Sequence, residues 1–467
     1  MLRSIISLII PLIGAAWLLA EEPLPIGPKP ETLRVLYAGD PDSERMVDFR
    51  EFLEKHFAKV ETTHYSQVSQ EQAEKFDVVI CDWSTALRRD KTGRVIRSDF
   101  NKPPEVPKLP ENFDIPTVLI GGPGTAVANR FHLVLDGRSG GLENYAHDSD
   151  LEHPVFLGPL PVEINFEEHP KSIFYYPHRG TKSLGETMPM WKVHEKAYPD
   201  IDHGIASRRN NFLATPGAEV ISGGLNGWNP RSVAIGRHGN FLQWGFAASP
   251  SDMTPTAQRV LVNCICYIRQ FRGEPPQPVQ LSATREDHLD WLYRMRQASD
   301  IYVDALVREI RELQRHPRYP EMPNGEMTDA EAKAYFRDAG QAFNRENILP
   351  RIPREVRQQT RDDIEAILQY YEDNLEYLYH DSTMGEPAVW RVDEEAKQLG
   401  IPNRSPLILW KCLEMLESDS DSTLAKHLLR RYTGRKFRDA ETLRNWLEGN
   451  GKLVFEEGGH FFAWIEK

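Results

Sequence analysis

Cysteine is scarce in this chain: four residues in 467, at Cys81, Cys264, Cys266 and Cys412. So few, so scattered, they exclude a disulfide framework of the kind that holds small secreted domains together. Cys264 and Cys266 fall two apart in a predicted helix, where such side chains point to different faces. Buried free thiols are therefore expected, with a Cys81–Cys264 bridge left open. Positive charge is also short. Lys and Arg number 56 against 69 Asp and Glu, a formal net charge of −13, which argues against a duplex nucleic-acid partner because phosphate binding needs clustered cations that release counterions. Beyond the first twenty residues no apolar run is long enough to span a bilayer. The segment Ile115 to Ala126 carries an apolar strand pattern into Gly121-Gly122-Pro123-Gly124, and no side chain in that turn can act as a nucleophile. Neither a G-x-x-x-x-G-K phosphate loop nor a His-x-Glu pair occurs anywhere in the sequence.

What is present begins with a secretory signal layout: Arg3, an apolar run from Ile5 to Leu19, and Leu18-Leu19-Ala20 ahead of the acidic pair Glu21-Glu22. Residues 1–20 are expected to be a signal peptide cleaved after Ala20, an uncleaved anchor being the rival, so the expected location is periplasmic or secreted. A proline-rich linker follows over residues 21–32. From residue 33 apolar runs separated by a helical pattern predict a parallel sheet covered on both faces: Leu33–Ala38, a helix to about Phe57, Val60–Tyr65, Asp77–Cys81 and Ile115–Gly121. Residues 131–216 are predicted to be loop-rich, with short strands at His132–Leu135, Val162–Phe166, Ser172–Tyr176 and Trp191–His194. Strands at Ala218–Gly223, Ser232–Gly236 and Phe241–Trp244 come next, the last two joined in a hairpin through Arg237-His238-Gly239-Asn240. Thr254 caps a helix that opens with Pro255, where the missing amide donor costs nothing.

Gly273–Pro278 marks the clearest boundary, so residues 273–282 are expected to be a linker. Beyond it the apolar period becomes 3.6: one stripe through Leu289, Leu292, Tyr302, Leu306, Ile310 and Leu313, another through Val356, Ile364, Ile367, Tyr371, Leu375 and Leu378. Thr328 with Glu331 predicts a capping box. Residues 283–467 are thus expected to form a mainly α-helical domain ending in a β-hairpin that turns at Gly458-Gly459.

Five segments together, LRVLYAGD from Leu33, FDVVICD from Phe76, the Ile115 strand with its glycine turn, EHPVFLGPLP from Glu152, and SVAIGRHGNFLQWGF from Ser232, resemble the trehalose-utilisation-like (ThuA-like) branch of the class I glutamine amidotransferase-like superfamily. The resemblance covers residues 33–272. It implies a doubly wound, flavodoxin-like, mostly parallel sheet with ligands at the carboxyl ends of its strands. It also sharpens the vacancy: Gly122 stands where amidotransferases of that superfamily carry the nucleophilic cysteine, and Gly245-Phe246 where the family tends to place Gly-His. Glutamine hydrolysis by a Cys-His-Glu mechanism is therefore not expected. The C-terminal part, with its YTGRKF turn, Trp-bearing helix and terminal hairpin, is similar to a helical module of large secreted proteins from planctomycete-like bacteria.

Candidate ligand-binding residues in the expected crevice are Asp40, Asp82, Trp83, Gly121, Gly122 and Gly124. Cys81 adjoins Asp82, whose charge opposes thiolate formation. Gly137-Arg138-Ser139-Gly140-Gly141 matches a nucleophile-elbow pattern, but no helix pattern follows it, so a loop is expected there. His147, His153 and His194 are the candidate metal ligands, although their spacing fits no defined zinc motif; Asp82, His153 and His194 are the candidate acid–base residues. Trp83, Trp191, Trp228 and Trp244, with Tyr175, Tyr176 and Tyr198, offer aromatic surface for a sugar, although Trp244 at least is assigned to core packing. Two functions follow. One is a non-catalytic exported protein that binds a polar small molecule or a protein partner and needs no cofactor. The other is a carbohydrate-related hydrolase or isomerase built on Asp40, Asp82, His153 and His194, with a divalent metal or acid–base site, which requires those side chains to converge.

Overall fold

The computed structural model describes residues 27–41, 43–83, 109–121, 127–128, 130–135, 137, 139–178, 186–197, 200–201, 203–227, 229–279, 284–315, 327–381, 389–449, 452–456 and 461–465. The expected signal segment and residues 21–26 of the proline-rich linker lie outside those residues.

Eleven strands form one mixed sheet: β1 (Arg34–Gly39), β2 (Lys59–His64), β3 (Val78–Trp83), β4 (Thr117–Gly121), β5 (Ser139–His147), β6 (Glu167–Pro170), β7 (Thr187–Lys192), β8 (Gly204–Arg208), β9 (Ala218–Asn226), β10 (Ser232–His238) and β11 (Phe241–Trp244). The order β2-β1-β3-β4-β11 is parallel throughout, with Val35 opposite Val78, Cys81 opposite Leu119 and Trp244 opposite Ile120. From β11 the sheet continues antiparallel through β10, β8, β5, β7 and β6, with β9 paired to β10 and β5.

Alternation accounts for the layering. Val35 and Tyr37 of β1, Val78 and Ile80 of β3, and Val118 and Ile120 of β4 enter one core. Their neighbours Leu36, Ala38, Val79, Cys81 and Leu119 enter another on the opposite face. Successive residues of a strand point to opposite faces, so strands apolar at every position must be covered twice. The first face receives helix α1 (Glu44–Glu54) through Met46, Phe49, Phe52 and Leu53. Ser43 caps it by accepting from the Met46 amide. A one-turn helix, α2 (Gln70–Ala73), leads into β3. Two further short helices, α3 (Pro154–Leu157) and α4 (Arg209–Ala214), lie in the antiparallel region. Helix α5 (Pro255–Ile268) is capped by Thr254 and starts on Pro255 as expected, and it buries Val260, Leu261, Cys264, Ile265 and Ile268 in the first core. All four cysteines are free and buried.

The hairpin β10–β11 forms where the sequence pattern predicts it, with Gly239 at φ +56 in the turn. Four local expectations are corrected. Residues 132–135 are irregular, His132 taking φ +51, and residues 161–166 are not a strand. Residues 173–175 form a 3-10 turn. Ser139 opens the nine-residue strand β5 rather than lying in a loop, pairing with Ala206 of β8.

Outer edges of the sheet are β2 and β6. β2 exposes Lys59 and Glu61, which pair at 2.6 Å, and β6 is four residues, Glu-Glu-His-Pro.

The C-terminal part contains α6 (Arg285–Tyr293), α7 (Asp300–Arg315), α8 (Asp329–Phe343), α9 (Arg354–Thr360), α10 (Ile364–Asp373), α11 (Glu394–Leu399), α12 (Leu407–Ser418), α13 (Ser422–Thr433) and α14 (Ala440–Leu447), with the hairpins β12 (Leu378–Asp381)–β13 (Val389–Val392) and β14 (Lys452–Glu456)–β15 (Phe461–Ile465). The capping box at Thr328 and Glu331 is present. The stripe from Val356 to Leu378, read as helix, is broken: Arg361 and Asp362 both adopt left-handed backbone, at φ +55 and +59, and Leu378 begins a strand. Two cores result, one around Leu289, Ile367, Tyr371 and Trp390, the other around Leu409, Leu413, Leu428 and Tyr432. Arg285, fully buried, links them. Its Nε donates to Leu378 O at 3.1 Å and its Nη2 to Asn403 Oδ1, while Asn403 donates to Leu378 O and to the Tyr432 hydroxyl.

The two parts of the chain touch. Arg231 pairs with Asp290 at 2.9 Å, and the rings of Phe174 and Tyr302 lie 5.9 Å apart. The linker backbone at Glu274 and Pro276 packs so tightly on Gly239 that an added Cβ would meet Pro276 N at 2.6 Å.

Candidate functional site at the carboxyl ends of the parallel strands

β1, β3, β4 and β11 run in one direction, so their carboxyl ends share one rim of the sheet. Asp82 lies on that rim, 2 % exposed. The hydroxyl of Tyr37, from β1, donates to its Oδ2, and Arg45, from the first turn of α1, donates to the same oxygen at 2.7 Å. Arg45 also reaches Ala247 O at 2.6 Å and Ser249 Oγ at 3.4 Å, while Asp48 accepts from the Ser251 amide and hydroxyl. Helix α1 therefore clamps the segment that leaves β11 along the rim. That segment starts at Gly245, whose backbone crosses Gly204 so closely that a Cβ at Gly204 would sit 2.2 Å from Gly245 O; only glycines permit the crossing.

Burial, then the charge of Asp82, pushes the Tyr37 phenol well above its ordinary range, so Tyr37 remains a donor. Asp82 Oδ1 is buried and has no hydrogen-bond partner among the described residues. A buried carboxylate oxygen left unmatched is costly unless a donor meets it. Cys81 beside it is fully buried, and burial followed by the Asp82 charge pushes its thiol up to about 12. It is not a nucleophile at neutral pH.

Other expected residues distribute as follows. Asp40 follows β1 directly, is exposed, and its carbonyl accepts from the Ser43 amide and hydroxyl at the entry to α1. Trp83 ends β3 opposite Gly121, its side chain lying outside the described residues. Gly121 closes β4 at φ +69, in the left-handed region that glycine tolerates. Gly122 and Gly124 lie outside the described residues, as does Trp228. Trp191 and Trp244 are packed in the core with no face free to stack a ligand.

The three histidines each have separate partners. His147 is buried at the end of β5, its Nδ1 3.1 Å from Asp148 and its Nε2 3.5 Å from the Tyr175 hydroxyl. His153 caps α3, its Nδ1 accepting from the Val155 amide, with Nε2 3.4 Å from Glu219. Glu219 also accepts from Arg237 and from Tyr267. Burial alone would raise the Glu219 carboxyl, but these hydrogen bonds outweigh it and hold it at about 2. His194 donates from Nδ1 to Lys196 O at 2.6 Å, and burial lowers it to about 4, so it is neutral at physiological pH. Among the described residues no group of three or more His, Cys, Asp or Glu is placed to hold a metal ion.

Tyr37, Arg45 and Ser249 carry no signal of the site in the sequence. Tyr37 and Arg45 meet Asp82, and Ser249 meets Arg45, only through strand register and the setting of α1, and no spacing rule joins positions 37, 45, 82 and 249. Glu143 is hidden for a similar reason. Burial, then the charge of Glu309 on α7, pushes its carboxyl up to about 7, and Glu309 comes from beyond the linker.

A scan against protein-family models finds no match to this chain, and a search of curated proteins finds no similar sequence.

Proposed function

We propose that this is an exported binding protein whose ThuA-like, amidotransferase-type α/β domain keeps the ligand crevice of that architecture without its nucleophile, and that the crevice takes a polar small molecule, a carbohydrate being the leading class. The observation that carries the reading is Asp82: a buried carboxylate on the ligand rim, fixed through Oδ2 by Tyr37 and Arg45, with Oδ1 left to accept from a ligand hydroxyl or amine. The strand order 2-1-3-4 followed by β11 supports the flavodoxin-like assignment, since doubly wound sheets of that order bind ligands outside the carboxyl ends of their strands. The glycine turn at Gly121 and the inert Cys81 thiol support a site without covalent chemistry. The catalytic alternative lacks comparable support, because His153 and His194 are each committed to a separate neighbour.

A thermal-shift and calorimetric screen of neutral sugars, amino sugars and polyols tests the proposal. A ligand at about 100 times its Kd stabilises the native state by about 2.7 kcal/mol, and Asp82→Asn should lower affinity at least tenfold while the variant stays folded. Absence of binding across the panel, or equal affinity in the variant, would overturn it. In the same preparation neither the native chain nor Gly122→Cys should release ammonia from glutamine; turnover by either would refute the assignment of a vacant centre.

A further inference from the structure

The C-terminal part carries a groove of about 770 Å³ lined by five arginines, Arg351, Arg354, Arg357, Arg361 and Arg391. Only two carboxylates share it. Asp362 is bound in bidentate fashion by Arg357, at 2.7 and 2.9 Å, and Glu355 pairs with Arg391 at 2.5 Å. Five positive charges less two negative leave an excess of three, carried by Arg351, Arg354 and Arg361, which have no carboxylate partner among the described residues. Arg351 lies over the Trp291 ring, 5.5 Å from its centroid. This stands out in a chain of net charge −13, and at physiological ionic strength charges more than about 8 Å away are largely screened. A ligand in the groove would therefore feel the arginines more than the acidic remainder.

The backbone explains the gathering. Arg354 and Arg357 are spaced i and i+3 on α9, so they share a face, and Arg361 is the residue that ends the helix. The left-handed pair Arg361 and Asp362 then turns the chain back, and the Arg357–Asp362 clamp holds the turn. β13 contributes Arg391 from the other side. Guanidinium groups present paired donors that match oxyanions, and an anion bridging several of them gains more than a single exposed ion pair does. The volume lies within the range of small-molecule sites.

We infer that this groove binds a small organic polyanion bearing two or more carboxylate, sulfate or phosphate groups, independently of the crevice at Asp82. The experiment is titration calorimetry on the full chain with citrate, inorganic pyrophosphate and a sulfated disaccharide as separate probes, at low salt and at about 0.15 M. At least one probe should bind with one-to-one stoichiometry and weaken as salt rises. Its source chemistry is identified by which probe binds tightest. The double variant Arg354→Gln/Arg361→Gln should weaken that binding tenfold or more, whereas Arg438→Gln, remote in sequence and paired with Asp439, should leave it unchanged. Glu355→Gln removes one negative charge from the groove and should tighten binding severalfold, which decides the matter if the double variant does not fold. No binding by any probe to the native chain, unchanged affinity in the double variant, or no tightening in Glu355→Gln would overturn the inference.

Discussion

Glu143 is the residue whose surroundings predict the clearest behaviour in solution. Its carboxyl, ordinarily near 4.5, is pushed up to about 7 by burial and then by the charge of Glu309. In the pH window from about 4.5 to 7 the folded chain holds a proton there that the unfolded chain has released. Stability contributed by the protonated group is full below 4.5 and is lost as pH rises to 7. His194 and His238 work in the opposite sense, because burial holds both at about 4 against an ordinary 6.5, so each adds stability as pH rises across that interval. The native pH profile sums these effects, and the difference between the native chain and Glu143→Gln isolates one of them. Urea titrations should show the variant equal to the native chain below pH 4.5 and more stable by up to roughly 3 kcal/mol above pH 7, since each pH unit between the unfolded and folded titrations is worth about 1.4 kcal/mol. A constant difference across the range would show that Glu143 titrates normally. Legibility at this scale is uneven. Asp82 is visible in the sequence because it ends an apolar strand, whereas its partners Tyr37 and Arg45, and the Glu143–Glu309 pair, depend on tertiary placement.

Among the elements, those recognisable from sequence share a cause: their signals are local. Thr254 ahead of Pro255, the Thr328 capping box and the Gly239 turn each state a backbone requirement within four residues. β1, β3 and β4 are legible because burial on both faces makes them continuously apolar. β5 is obscured since Glu143 and Asn144 interrupt its apolar positions, and the left-handed break at Arg361 is invisible when neither residue is glycine. Leu378 continues a helical stripe by coincidence of period. The join between the two helical cores rests on Asn403, which accepts from Arg285 and donates to Leu378 and Tyr432. Asn403→Ala leaves a buried guanidinium short of an acceptor, and hydrogen bonds to charged groups are worth about 1.5–3 kcal/mol. A loss of about 3 kcal/mol is expected, read as a lowered urea midpoint for the C-terminal part; a change under about 0.5 kcal/mol would mean that the cores are joined by apolar packing alone.

At the scale of the molecule, the two parts meet through Arg231 with Asp290, Phe174 with Tyr302, and the linker seated on Gly239. Each part has its own cores, so residues 21–274 and 279–467 expressed separately should both unfold cooperatively. The first should be less stable than in the intact chain by roughly 1 to 2 kcal/mol, the combined contribution of an aromatic pair and a half-buried ion pair. Calorimetric scans of both pieces decide it, and an insoluble first piece would show that the helical part is needed to complete its core. The boundary is legible as a run of Gly and Pro; the contacts across it are not, because they join residues tens of positions apart. The margins of the sheet carry a last consequence. A strand at a margin offers unpaired amides and carbonyls to any neighbour, and here one margin is studded with ionic side chains while the other is a four-residue Glu-Glu-His-Pro segment whose proline lacks a donor. Neither margin is a good template for polymerisation. Even crowded at high concentration, the folded chain should resist fibril growth by strand addition, and seeds of β-rich aggregate should elongate only from molecules that have first unfolded.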